Sequence, residues 1–104
     1  MILRRNRFGD VVDRQLDLFE SETELVAEAI EADAAWSRAD ADASEELYGD
    51  YQLVVDAIGE QLHDLREAYA AALEDETADE YRSVFDKTAR KRFGRLAAFL
   101  EDQD

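Results

Sequence analysis

The 27 residues from Leu47 to Leu73, LYGDYQLVVDAIGEQLHDLREAYAAAL, decide the fold. Within them Leu47, Tyr51, Val54, Ile58, Leu62, Leu65, Tyr69 and Leu73 are separated by steps of three or four residues. At about 3.6 residues per turn, that spacing puts all eight on one stripe, so the stretch reads as an amphipathic helix from about 43 to 74. Gly49 and Gly59 each cost such a helix about 1 kcal/mol relative to alanine, and the apolar pattern outweighs them.

Upstream, Phe8, Val11, Val12, Leu18, Phe19, Leu25, Val26, Ala29, Ile30 and Trp36 recur at helical spacing. The Ser21-Glu22-Thr23-Glu24 stretch has a capping-box pattern that would start a second, shorter helix. Because no Gly or Pro interrupts the apolar phase, one continuous helix over about 8–38 is expected instead. Polar and small residues at Arg38–Asp42 then mark a turn, with Asp42 or Ser44 as the next N-cap. Downstream, Glu74-Asp75-Glu76 reads as a link, and Thr77 with Glu80 as a capping box for a third helix over about 77–100. Its stripe is Ala78, Tyr81, Val84, Phe85, Thr88, Ala89, Leu96, Phe99 and Leu100. Short links make neighbouring helices antiparallel, so the expectation is all-α: an antiparallel up-down-up three-helix bundle with coiled-coil-like spacing, one domain over 1–104.

Composition narrows the function classes. Among 104 residues there are 27 acids against 12 Lys and Arg, a net charge of −15, yet 46% of the chain is hydrophobic, enough for a core. Cysteine is absent, which excludes disulfides, thiol nucleophiles and Cys-ligated metals. The four glycines are scattered and there is no proline, so the punctuation of hairpins is missing. No apolar run is long enough for a secretory signal or a membrane span, and a cytoplasmic protein without a membrane partner is expected. Charge is segregated: residues 8–81 hold 23 acids against Arg14, Arg38 and Arg66, whereas Arg82, Lys87, Arg90, Lys91, Arg92 and Arg95 crowd the last quarter.

One motif has metal-ligand spacing, Glu60-Gln61-Leu62-His63. An E-x-x-H pair on a helix points both side chains at one metal pair in di-iron carboxylate bundles. In this the chain resembles the ferritin-like family, especially its small two-helix encapsulated members. The resemblance implies a half-site completed by dimerisation, with Glu28 or Glu31 as the partner carboxylate. On the helical wheel, however, the apolar stripe centres near about 50°, with His63 at about 180° and Glu60 at about 240°. Both face away from the core, and a surface histidine with no metal or cofactor is the expectation. With a single histidine and four serines, none near it in sequence, no nucleophile–base pair is recognisable. Nor is there a Gly-rich phosphate loop, so no enzyme activity is expected.

The basic tract Arg82, Lys87, Arg90, Lys91 and Arg95 has phosphate-binding chemistry, but the acidic body repels a nucleic-acid backbone, which argues against that partner. These cations are expected to neutralise their acidic neighbours and complement their own helix dipole. Glu22 and Arg92 each interrupt an apolar stripe. If Phe8 is level with Thr77, Arg92 is level with position 23, so a buried Glu22–Arg92 ion pair is expected. Gln15 and Asp33, on the same stripe as Glu22, are expected to find tyrosine or arginine partners. Trp36 and the tyrosines at 48, 51, 69 and 81 read as core or rim packing. Leu16 and Leu53 sit off their helices' apolar centres and, with Ile2 and Leu3, offer an intermolecular patch. The function expected is a non-enzymatic acidic helical-bundle interaction module, self-associating or binding a protein partner through one face. The alternatives are a metal-binding carboxylate bundle using Glu60, His63 and Glu31, and an acidic nucleic-acid mimic that binds a basic protein.

Overall fold

A computed structural model describes residues 7–97, and of Arg95 the backbone alone. It contains four α-helices, α1 (Gly9–Glu22), α2 (Leu25–Arg38), α3 (Ala41–Ala70) and α4 (Asp75–Phe93), closed by a 3₁₀ turn at Gly94–Ala97; no strand occurs among the described residues. The three-helix expectation is corrected at Thr23. That residue is extended (φ −114°, ψ 149°), which ends α1, and its hydroxyl oxygen accepts the Leu25 N–H at 3.2 Å, satisfying a donor at the start of α2. The local capping chemistry prevails over the continuous apolar phase.

Two other boundaries also move. Asp40, rather than Asp42 or Ser44, is the N-cap of α3, its carboxylate accepting the Ala43 N–H at 3.0 Å. Glu74 precedes α4, so Thr77 lies inside the first turn. The α-helix ends at Phe93 because Gly94 takes φ 58° and ψ −132°, a conformation open to glycine alone. The expected continuation to Leu100 passes beyond the described residues.

Direction follows from the aromatic contacts. Phe8 meets Tyr81 edge-on at 5.4 Å and Phe19 meets Phe93 at 6.0 Å, so α1 and α4 run parallel. Both run antiparallel to α3, and α2 continues the column of α1. With 30 residues, α3 is about 45 Å long, most of the 54 Å length of the molecule. The up-down-up path is therefore present, but its first column is broken, and among the described residues its third ends at Ala97. Beside the C-terminal half of α3 stand α1 and α4; beside its N-terminal half stands α2.

The core lies in the three-column half. Val12, Leu16, Ile58, Leu62, Tyr81 and Phe85 are fully buried, joined by Phe8, Ala29, Ala78 and Ala89. Leu16, expected on an intermolecular patch, is a core residue. The buried line of α1 runs Phe8, Val12, Leu16, Phe19, and its neighbour Leu18, assigned to the stripe from sequence, is 52% exposed. Of the stripe expected over 43–74, Tyr51, Ile58 and Leu62 of α3 are buried, Val54, Leu65 and Tyr69 pack partly against the core, and Leu47 is half-buried; Leu73, which also packs there, lies in the turn beyond Ala70, where α3 ends.

Tyr81 joins the three columns. Its ring touches Phe8 on α1, Tyr69 on α3 and Phe85 on its own helix, and its hydroxyl donates to the Gln15 side-chain oxygen at 2.8 Å. Gln15 thus has the tyrosine partner expected for it. Burial disfavours the phenolate and pushes the Tyr81 pKa up to about 12.

Two outcomes follow. Leu62→Ala should cost about 2 to 5 kcal/mol in urea unfolding, and Leu53→Ala, at a 70% exposed site, less than about 0.5 kcal/mol. The second concerns alkaline pH. Above pH 10 the unfolded tyrosine ionises while the folded one stays neutral, so this contribution is complete below pH 10 and is lost as pH rises towards 12. The loss is on the order of 2 kcal/mol. Urea midpoints from pH 9 to 11 should fall less steeply in Tyr81→Phe than in the parent chain.

Candidate functional site

Two arginines of α4 reach carboxylates of neighbouring helices, and a buried arginine of α3 reaches a carboxylate of α4. Arg66, the single Lys or Arg of α3, follows Leu62 by one turn and so enters the core, where it is 6% exposed. Its guanidinium donates to Asp86 of α4, also 6% exposed, at 2.8 Å, and to Glu67 at 2.8 Å. Burial opposes the Arg66 charge, but the hydrogen bonds and charges of Asp86 and Glu67 outweigh it and raise its pKa. Arg82 crosses from α4 to Glu67 at 3.0 Å and bonds Asp79 at 3.0 Å. Its hydrogen bonds to Glu67 lower that carboxyl's pKa against the opposing effect of burial, with Arg66 adding to the lowering. An open cleft of about 470 Å³ beside this network is lined by Arg66, Asp79, Arg82, Ser83, Lys87 and Arg90, with Asp86 at its base.

The expected Glu22–Arg92 pair is not formed. Arg92 donates to Asp17 at 2.8 Å and lies 3.5 Å from Glu20, while Glu22 is exposed at the end of α1. Two errors of phase explain the difference. Phe8 is level with Tyr81 and not with Thr77, which slides Arg92 back by one turn, and Leu18 had drawn the apolar centre of the first helix towards Glu22. Of the remaining basic residues, Lys87 and Lys91 are exposed and Arg90 is half-buried; Arg95 lies in the closing turn, its side chain outside what is described. Arg82 and Arg92 thus pair with acidic neighbours.

The metal alternative finds no constellation. Among the described residues no three His, Cys, Asp or Glu side chains come together as metal ligands. Glu60 is exposed on α3, Glu31 is exposed on α2, and His63 is half-exposed beside Asp64, 3.7 Å away. Ile2 and Leu3, of the suggested patch, lie outside the described residues.

A different surface stands out at the other end of α3. There, among the described residues, α2 is the one helix beside α3, and Trp36 stacks on Tyr51 at 5.9 Å and meets Tyr48 at 5.0 Å. Tyr48 is eighteen residues before Arg66, which is five full turns, so the two share one azimuth of α3. Arg66 points at α4, so Tyr48 points at the place where α4 would be if its column continued. Along this side of α3, Val55, Gly59 and Arg66 are buried, but Tyr48 is 45% exposed. Ile30, 59% exposed, lies about a quarter-turn off the Val26–Ala29 line of α2. Because α2 and α3 are antiparallel, this places it on the same side of the pair as Tyr48. Leu53 faces the opposite side. The arm is also strongly acidic: from Glu24 to Asp56 the chain has ten Asp and Glu and one base, Arg38.

No family model matches the chain, and neither does any curated protein or solved structure.

Removing one member of the buried pair should be costly. Arg66→Ala strands the Asp86 carboxylate and should lower stability by about 3 to 5 kcal/mol, whereas Arg66→Met with Asp86→Leu should recover most of the loss. A double-mutant cycle in urea reads the coupling, and a value below about 0.5 kcal/mol would show that the pair does not bind α4 to α3.

Proposed function

We propose that the chain is a non-enzymatic interaction module whose binding surface is the acidic two-helix arm, with the three-column half as its rigid base. One observation supports the reading: on the side of α3 where Val55, Gly59 and Arg66 are buried, Tyr48 is 45% exposed, beyond the last described turn of the third column. Single exposed apolar residues are ordinary on soluble proteins. Here Tyr48 and Ile30 stand on one side of one helix pair, beside the half-buried Trp36, which is the arrangement of a groove that receives a helix. The occupant is a protein partner or a second copy of the chain. The acid content of the arm also supports the related reading of an acidic mimic that captures a basic protein.

A photo-reactive phenylalanine analogue placed at position 30, 48 or 53 tests the surface. In the native cell, positions 30 and 48 should yield a discrete cross-linked species, and position 53 should not. A species of twice 11.9 kDa identifies a second copy. Absence of a discrete species from 30 and 48, or equal yield from 53, removes the arm as the binding surface.

A further inference from the structure

Resting on that reading of the arm, we infer that its occupant is a cationic amphipathic helix of a partner protein, which extends the column of α4 along α2 and α3. The chain's own third helix supplies the template. Its buried stripe, Ala78, Tyr81, Phe85, Ala89 and Phe93, fills the groove between α1 and α3. Cations on its flanks reach acids on both neighbours, Arg82 to Glu67 of α3 and Arg92 to Asp17 of α1. A helix with an apolar stripe and basic flanks is thus the ligand that this groove already holds over half its length. Over the other half the groove offers Tyr48 and Ile30 for the stripe, with Glu31 of α2 and Glu45 and Asp56 of α3 exposed nearby for the flanks.

Charge decides between occupants. Two arms brought face to face would oppose two stretches of ten acids and one arginine each, a repulsion that grows as the interface excludes water. A helix bearing lysines or arginines at the rim turns the same field into attraction, speeds encounter and disfavours acidic competitors. The apolar stripe supplies what charge alone does not, a fixed position along the groove.

Trp36 is the only tryptophan in the chain and packs on Tyr48, so its emission reports on the groove. The probes are three synthetic 14-residue peptides: leucine and lysine in amphipathic register, the same residues scrambled, and leucine and glutamate in amphipathic register. The first should shift Trp36 emission and bind with one-to-one stoichiometry in calorimetry, weakening at least about tenfold between 50 and 300 mM salt. The scrambled and the acidic peptides should bind at least about tenfold more weakly. Ile30→Ser with Tyr48→Ser, both at exposed sites, should weaken binding by calorimetry about tenfold or more, and Leu53→Ser should leave it unchanged. Equal binding of the scrambled peptide, or indifference to the Ile30 and Tyr48 changes, overturns the inference. If positions 30 and 48 cross-link a partner but the lysine peptide does not bind, the arm remains the interaction surface and the cationic helix is rejected. Sedimentation of the chain alone at twice its mass, lost on changing Ile30 and Tyr48, likewise assigns the groove to a second copy and rejects it.

Discussion

Tyr81 fixes how far each column of the molecule extends past its neighbours. Its ring is enclosed by Phe8, Tyr69 and Phe85, and its hydroxyl needs the Gln15 oxygen because a buried donor without an acceptor costs about 1 to 3 kcal/mol. Meeting all of these at once leaves α4 little freedom to slide along α1 or α3. The register so set brings Phe93 to Phe19 and Arg92 to Asp17 and Glu20. It also determines where α4 ends. The α-helix gives way at Gly94 to a single 3₁₀ turn, and the N-terminal turns of α3 project beyond that turn with α2 as their described companion. The arm is a consequence of this junction and of the length of α4.

Charge follows the same division. Where three columns meet, the acids of α1 and α3 lie beside cations contributed mainly by α4, and the buried Arg66 is matched to Asp86 with Glu67 alongside. Such a pair gains little net stability over an apolar contact, since desolvation offsets much of the attraction, but it penalises any other seating of α4 against α3. From Glu24 to Asp56 the sequence itself supplies one base, Arg38, against ten acids. The self-repulsion of that stretch is the electrostatic counterpart of the uncovered Tyr48. The proposed cationic, apolar-striped partner would answer both.

The parts of this architecture that were legible from sequence are those set by local periodicity. The stripe of α3 needs only spacing, and Ile58, Leu62 and Tyr51 are where that spacing puts them. Thr23 was harder, because an extended residue with a capping hydroxyl competes with a continuous helix by a small free-energy difference, and the apolar phase on either side matches. Leu16 and Leu18 show the limit of a wheel drawn on composition alone: both are leucines two residues apart, and only the position of α4 decides which is buried. The same limit hid the interhelix pairs. Helical register from sequence places Arg92 one turn too far along α1, while Arg66 does carry a signal, a lone cation at buried spacing after Ile58 and Leu62 on an acidic helix. The end of α4 at Gly94 leaves little trace in apolar periodicity, because Leu96, Phe99 and Leu100 carry the stripe past it, so the arm is not legible from spacing.

The sequence of α2 suits a surface of this kind. Five of its fourteen residues are alanine, so the helix forms readily on intrinsic propensity while offering little apolar area to bury. Val26 and Ala29 are its buried residues, against the longer lines of Phe8, Val12 and Leu16 on α1 or Tyr81, Phe85 and Phe93 on α4. Leu25 packs partly against the core and Trp36 stacks on Tyr51, which seats the helix on α3. A helix ordered in part by its own alanines presents a groove without a large ordering cost on binding. An occupant that covers Tyr48 and Ile30 would then contribute the burial that the third column supplies at the other end, and its affinity would appear directly as added stability of the arm.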